Sequence, residues 1–208
     1  MKHEIPQQNE GREMDAYESV NFTDVAQANE FYEKVRSRLM NINKWHELAK
    51  LPMATFVYLN PLGLETRDSP KVGGFIRIDI PGPGLPSTDG YDYVRIENID
   101  ESKEENFQAL TITLRPSDNP EHQSGEDTQH FFKNIATSTL QIQRVDTNIN
   151  ASYYGRNEVI NLDVDSVPDK IRNLVIGLGA KLGASFPQWK SLLKGVIDTN
   201  ELESDPRN

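Results

Sequence analysis

Tyr153 and His46 are the side chains of this 208-residue chain best placed to act as hydrogen-bond donors or acid–base groups in a pocket. Tyr153 lies in Ile149–Glu158, whose alternating pattern predicts a β-strand. On such a strand Arg156 and Glu158 fall on the face opposite Tyr153, where they are predicted to form a solvated ion pair, with an anion-binding arginine as the alternative. These residue types allow binding or acid–base chemistry but specify no reaction, so no residue is predicted to be catalytic.

Several other kinds of site are excluded by residue types and spacing. The chain has no cysteine, which removes thiolate chemistry and cysteine-based metal sites. Gly183-Ala184-Ser185 lacks the following glycine of a nucleophile elbow, and no glycine-rich phosphate loop opens a helix. The histidines show no metal-ligand spacing; they are His3, His46, His122 and His130. The sequence therefore predicts neither a metal nor a cofactor.

Composition restricts the classes of partner. The formal net charge of −10 argues against nucleic acid, because phosphate contacts need clustered lysine and arginine. No run of 18 or more apolar residues is present, so no membrane span is predicted. Met1–Asp15 is polar and charged rather than an apolar signal segment. Together with the lack of cysteine, this favours a cytoplasmic protein.

A long C-terminal helix is predicted over residues 168–197. Its apolar residues recur every three or four positions, the spacing of one helical face: Ile171, Leu174, Val175, Leu178, Leu182, Phe186, Trp189, Leu193, Val196 and Ile197. The stripe keeps its phase through Pro187, which predicts one helix with a kink there. We expect the stripe to pack on a sheet, with Trp189 buried and its indole N–H bonded to an acceptor, or alternatively covering a ligand entrance.

The rest of the chain predicts two helices and seven strands. Asp24 is positioned to cap a helix over residues 25–40, and a second short helix follows from Trp45 and stops before Pro52. Period-two patterns predict strands at 16–22, 54–59, 74–80, 91–99, 107–115, 138–145 and 149–158. The predicted organisation is a disordered tail over 1–15, one domain over 16–198 and a second tail over 199–208.

Strand register can be predicted by placing apolar residues opposite one another. The apolar pairs would be Ile78 with Ile96, Ile80 with Val94, Leu140 with Tyr153, and Ile142 with Ala151 across an Asp146-Thr147 turn. In the same register, opposite charges would meet on the other face, in the pairs Arg77 with Glu97 and Asp79 with Arg95.

This order of elements resembles the helix-grip fold of the START/Bet v 1-like (SRPBCC) superfamily. The stretch Val20–Leu48 runs from a strand through a helix into Asn41–Trp45, which looks like the common opening of that family. Gly73–Ile80 followed by Tyr91–Glu97 is similar to its central hairpin. The resemblance implies an α+β fold in which a curved seven-stranded antiparallel sheet, in the order β-α-α-β6-α, wraps around the long C-terminal helix.

The resemblance also implies a ligand site between sheet and helix. Its expected lining is Trp45, His46, Ile78, Ile80, Val94, Ile96, Ile112, Tyr153, Leu178 and Leu182; the bland alternative is a filled core. The function implied is a binding module for a small apolar or amphipathic ligand. The alternatives are a cyclase-, hydrolase- or isomerase-type enzyme using pocket tyrosine or histidine groups, and a protein-interaction module such as a homodimer.

Overall fold

The computed structural model describes residues 5–49, 54–79, 91–121, 135–159 and 185–200, with side chains in the last range from Trp189 onward. The strands are β1 (Arg12–Asn21), β2 (Thr55–Leu59), β3 (Phe75–Asp79), β4 (Asp92–Glu104), β5 (Phe107–Ser117), β6 (Thr137–Val145) and β7 (Asn148–Glu158). The helices are α1 (Val25–Met40), α2 (Trp45–Ala49) and α3 (Ser185–Val196), with a 3-10 turn at Ile42–Lys44 before α2.

All seven strands form one antiparallel sheet in the order β1-β7-β6-β5-β4-β3-β2. The chain begins at one edge with β1, crosses to the other edge through α1 and α2, and returns strand by strand until β7 pairs with β1. The predicted α+β class and seven-stranded antiparallel sheet are therefore confirmed. Among the described residues, no helix has both the length and the apolar character needed to cross a membrane.

The first helix begins and ends where the sequence predicts. The Asp24 side chain accepts a hydrogen bond from the N–H of Ala26, as an N-cap does. Apolar residues at helical spacing, among them Phe31, Val35 and Leu39, turn one face of α1 into the core.

The first strand begins earlier than predicted. Arg12–Asp15 lie within β1, where they pair with the end of β7, so their assignment to a disordered tail is wrong. The chain before the strand is also held, because the N–H of Asn9 donates to Asn157 Oδ1 at 2.7 Å. β7 extends to Glu158 and supplies partners that the local sequence of residues 1–15 does not reveal.

The register predicted between β3 and β4 is wrong. Ile76 opposes Val94, and Ile78 opposes Asp92 rather than Ile96. The observed and predicted partners of Ile78 differ by an even number of residues. Each side chain therefore lies on the predicted face of the sheet, although its partner is different. The pairing is fixed near Gly74, whose carbonyl accepts from the N–H of Ile96 at 2.8 Å.

The charge pairs predicted from that register do not form in the sheet as expected. Arg77 opposes Tyr93 and its guanidinium lies 3.4 Å from Glu65, while Glu97 pairs with Arg115. Ile80, predicted to oppose Val94, lies outside the described residues. The predicted hairpin of β6 and β7 is confirmed, with Leu140 opposite Tyr153 and Ile142 opposite Ala151.

The C-terminal helix packs against the sheet with its apolar face, as predicted. Over Ser185–Val196 it contacts α2, β1 and β7 and buries Trp189, Leu192, Leu193 and Val196. Pro187 lies near the beginning of the described part of this helix. The part of the prediction over residues 168–184 lies outside the described residues, so a kink between that part and the residues after Pro187 stays a prediction.

We predict that Gly195→Ala destabilises the protein, although alanine favours helices by about 1 kcal/mol over glycine. A Cβ at Gly195 would lie 1.9 Å from the Leu48 carbonyl oxygen, so α3 would have to move away from α2. We expect a loss of about 1–3 kcal/mol, the usual cost of overpacking. Urea unfolding measures it, with exposed Lys194→Ala as the control on the same helix. Unchanged or raised stability would contradict the close contact.

Candidate functional site

The end of β7 departs from strand alternation at Asn157. Its φ of 55° lies in the left-handed region, which asparagine tolerates better than most residues. Met14 opposes Gly155 and Arg12 opposes Glu158, so two residues of β7, Arg156 and Asn157, face only Glu13 of β1. This extra residue is a β-bulge, which re-aims the side chains that follow it.

The bulge turns Glu158 toward the side of the sheet that carries Tyr153. The Tyr153 hydroxyl donates to Glu158 Oε1 at 3.4 Å. The prediction that Glu158 lies opposite Tyr153 is therefore wrong, because the alternation on which it rests fails at Asn157. Arg156 does lie on the opposite face, but it is buried and bridges Asp15 and Glu13 rather than forming a solvated pair with Glu158.

Three polar side chains meet on this face of the sheet. The Ser138 and Tyr153 hydroxyl oxygens lie 3.1 Å apart, and Tyr153 in turn reaches Glu158. Gly155 makes room for the carboxyl group, since a Cβ there would lie 2.6 Å from Glu158 Oε1 and 3.1 Å from the Tyr153 hydroxyl. We call Ser138, Tyr153 and Glu158 the polar cluster.

Burial raises the pKa of the Glu158 carboxyl group above its ordinary value, while the positive charge of Arg12 and the hydrogen bond from Tyr153 act in the opposite direction. Burial also raises the pKa of Tyr153, and the nearby Glu158 charge raises it further. Glu158 therefore keeps its proton to a higher pH than an exposed carboxyl group, and Tyr153 stays neutral. A protonated carboxyl group can donate a hydrogen bond as well as accept one.

A group of aromatic rings contacts the polar cluster through Tyr153, on the side of the C-terminal helix. The Trp189 ring stacks on Tyr153 with centroids 5.0 Å apart and an interplanar angle of 13°. The rings of Trp45 and Phe56 also pack against Trp189, with centroid distances of 6.3 and 6.1 Å. The indole N–H of Trp45 donates to the Leu39 carbonyl at 3.0 Å, which fixes α2 against α1. The site thus has an aromatic wall beside three polar groups.

Most of the residues predicted to line a ligand site come together in this interior. Trp45, Ile78, Ile96, Ile112 and Tyr153 belong to one buried cluster, and Val94 is packed against it. Their role in ligand binding stays a prediction.

His46 is not part of that cluster. Its side chain is 40% exposed and lies 3.8 Å from Glu47. The remaining predicted residues, Ile80, Leu178 and Leu182, lie outside the described residues.

The burial expected for Trp189 is confirmed. It is only 9% exposed, as expected for a helix packed on the sheet. The acceptor expected for its indole N–H stays a prediction.

Sequence reasoning missed Ser138 and misplaced Glu158. The signal that could have found Glu158 is Gly155-Arg156-Asn157, because glycine and asparagine inside a strand pattern indicate a bulge. No pattern in the sequence pointed to Ser138, which follows the strand alternation of β6 onto the same face as Leu140.

A concavity of about 280 Å³ lies on the surface between α1 and the β4–β5 hairpin. Its charged side chains already pair with one another, Arg36 with Glu101 at 2.8 Å and Lys103 with Glu33 at 3.5 Å. Exposed pairs of this kind are ordinary surface features. In the described residues, no group of three or more histidine, aspartate and glutamate side chains could hold a metal ion.

The sheet order, the crossing through α1 and α2, and the C-terminal helix packed on the sheet together define the architecture. The fold is a helix grip. This is the fold that the START/Bet v 1-like resemblance implied, with the polar cluster on the gripping face of the sheet.

Comparisons with known proteins give structural likenesses alone. No protein-family model matches this chain, and no curated protein matches it. Among solved structures it is similar to protein Ms6760 from Mycobacterium smegmatis, at 15% identity and a TM-score of 0.39, covering 92% of each chain. It is also similar to the ZhuI aromatase/cyclase from Streptomyces sp. R1128, at 8% identity and a TM-score of 0.42, covering 95% of this chain and 99% of the other.

A third similar structure is the major latex-like protein 151 from Panax ginseng, at 11% identity and a TM-score of 0.34. The match covers 84% of this chain and 97% of the ginseng protein. At such identities and TM-scores these likenesses carry no argument about function, which has to come from the site itself.

We predict that Glu158→Gln removes a pH dependence of stability. A carboxyl group whose folded pKa is raised stabilises the fold fully below its unfolded pKa, and this contribution is lost as pH rises through the folded pKa. Wild type should therefore lose stability relative to Glu158→Gln between about pH 4 and pH 7. Urea unfolding at both pH values measures this, with exposed Glu104→Gln as the control. A wild-type profile parallel to that of Glu158→Gln would contradict the raised pKa of the half-buried Glu158.

Proposed function

We propose that this chain is a binding module for a small apolar or amphipathic ligand held between the sheet and the C-terminal helix. The polar group of the ligand would bond to the polar cluster, and its apolar part would contact Trp189 and Phe56. The observation that carries the proposal is a carboxyl group, Glu158, turned toward the aromatic interior of the fold. Binding sites combine apolar walls with a few convergent polar groups in this way.

The energetics of Glu158 support the proposal. A polar group withdrawn from water costs stability unless its hydrogen bonds are replaced. Among the described residues, the only hydrogen bond to its carboxyl group is the 3.4 Å contact from Tyr153, which is near the long limit. A carboxyl group offers more bonding positions than this one contact uses, so it has capacity for a ligand.

The state of the cluster also indicates which polar groups a ligand would carry. Burial shifts the Glu158 carboxyl group toward its protonated form, and the Ser138 and Tyr153 hydroxyl groups beside it are neutral donors and acceptors. A hydroxyl or carbonyl group fits them. A ligand carboxylate would face Glu158 as a like charge once Glu158 ionises. We therefore propose a neutral amphiphile, taken up by a cytoplasmic protein that needs no metal or cofactor.

An acid–base enzyme is the second candidate, and one observation favours it. Glu158 and Tyr153 are adjacent titratable groups, and burial raises the pKa of both. Such pairs occur at catalytic sites more often than elsewhere. An enzyme would change the bound molecule during incubation, whereas a binding module would release it unaltered, and mass spectrometry of the extracted ligand distinguishes the two.

We predict that wild type binds Prodan, a neutral naphthalene ketone whose emission shifts to the blue in apolar surroundings. Tyr153→Phe removes one hydrogen-bonding group and should weaken binding about threefold to tenfold, the worth of roughly 1 kcal/mol. A fluorescence titration measures the affinity.

The matched control is Tyr154→Phe, because Tyr154 lies on the same strand but on the other face. It should bind Prodan as wild type does. Wild type without a saturable blue shift would remove the proposed function, and equal weakening by both variants would place the probe elsewhere.

A further inference from the structure

A four-residue segment that ends two residues before β1 contacts the β-bulge of β7. We call Gln7–Glu10 the strap. It contacts Asn157, whose N–H donates to Gln8 Oε1 at 2.8 Å and whose side-chain amide donates to the Gln7 carbonyl at 2.9 Å. In return, Asn157 Oδ1 accepts from the N–H of Asn9 at 2.7 Å and of Glu10 at 3.2 Å. The backbone N–H and the side-chain amide of Asn157 thus form hydrogen bonds to one short segment far from it in sequence.

The strap is itself shaped to make these contacts. The side-chain amide of Gln8 donates back to the carbonyls of Glu10 and Gly11, at 2.8 and 3.0 Å. Gly11 has a φ of 74° and passes so close to β7 that a Cβ there would lie 2.6 Å from Val159 Cγ2 and 2.9 Å from the Glu158 carbonyl carbon. The Gln8 side chain therefore forms hydrogen bonds within the strap and to Gly11, and it also accepts a hydrogen bond from Asn157.

Asn157 needs such support because its backbone is in an unfavourable region. A non-glycine residue with left-handed φ costs of order 1 kcal/mol or more and persists where its surroundings determine it. Asn157 is 5% exposed, so water cannot replace the strap without a change in structure. The strap contacts are the interactions that compensate this backbone.

The conformation of Asn157 decides which way Glu158 points. With Asn157 left-handed, Glu158 reaches Tyr153 on the gripping face, while Arg156 points to the other face and pairs with Asp15. With Asn157 extended, strand alternation would place Glu158 on the face of Arg156. The direction of Glu158 therefore depends on a residue that the strap holds.

We propose that the strap is a positioning device for the ligand site: by holding Asn157 it keeps Glu158 beside Tyr153, so that strap docking and ligand binding are coupled. This inference rests on the proposed function for its ligand, and it adds Gln8 and Asn157 as positioning residues that do not touch that ligand. Coupling is reciprocal, so a ligand bonded to Glu158 also strengthens strap docking.

The test compares Gln8→Ala with Gln7→Ala in the full chain. Both change a glutamine of the strap, but Gln7 contributes only its backbone carbonyl and its side chain is exposed, whereas Gln8 bonds to Asn157 through its side chain. Two quantities are measured: the titration of the Glu158 carboxyl carbon by ¹³C NMR, and the affinity for Prodan by fluorescence.

We expect Gln8→Ala to move the Glu158 titration down toward that of an exposed carboxyl group and to weaken Prodan binding about threefold to tenfold. Gln7→Ala should change neither. The charge nearest Glu158 from the neighbouring strand is Arg12, which all three proteins retain. Asn157→Gly is a second variant that keeps the left-handed backbone accessible but loses the side-chain bonds to the strap, and it should behave as Gln8→Ala does.

The failures of the two proposals are distinguishable. If wild type does not bind Prodan while Gln8→Ala still shifts the Glu158 titration, the binding function fails and the positioning role stands. If wild type binds Prodan, and Gln8→Ala and Asn157→Gly retain both its affinity and its Glu158 titration, the strap inference is overturned. Circular dichroism at the measuring temperature confirms that each variant is folded, so that unfolding cannot imitate the expected result.

Discussion

The stacking of Trp189 on Tyr153 joins the C-terminal helix to the sheet, and most of the interior is arranged around it. Trp189 also contacts Trp45 and Phe56, so the same ring connects α3 to α2 and β2. Large aromatic side chains bury much apolar surface and pack with defined geometry. The direction in which α3 lies across the sheet follows from this cluster and from the close approach of Gly195 to Leu48.

The polar cluster interrupts this apolar interior. An interior built for stability alone would place an apolar residue where Glu158 lies, since replacing buried charged groups by apolar ones is often neutral or stabilising. The fold instead makes specific provision for the carboxyl group: a glycine at 155 leaves room for it, and a left-handed residue at 157 aims it. Local departures from regular strand geometry are frequent at functional sites, which favours the polar cluster over the surface concavity as the candidate site.

The elements could be predicted because strands with one buried face alternate and α1 keeps a helical stripe. Alternation defines faces but not partners, so the predicted pair of Ile78 and Ile96 had the right face and the wrong register. The β6–β7 register was predictable because its two-residue turn at Asp146 fixes the pairing. Gly155 and Asn157 signal a bulge near the end of β7, but they do not reveal the contacts between Asn157 and a strap about 150 residues away in sequence.

The central claim is that the aromatic interior and the polar cluster form one ligand site. Its most direct test is an experimental electron-density map of the protein crystallised with Prodan. The account predicts the naphthalene ring against Trp189, with its ketone oxygen within hydrogen-bond distance of Tyr153 or Glu158. A map in which the core is filled, Glu158 points away from Tyr153 and Prodan is bound elsewhere would contradict it.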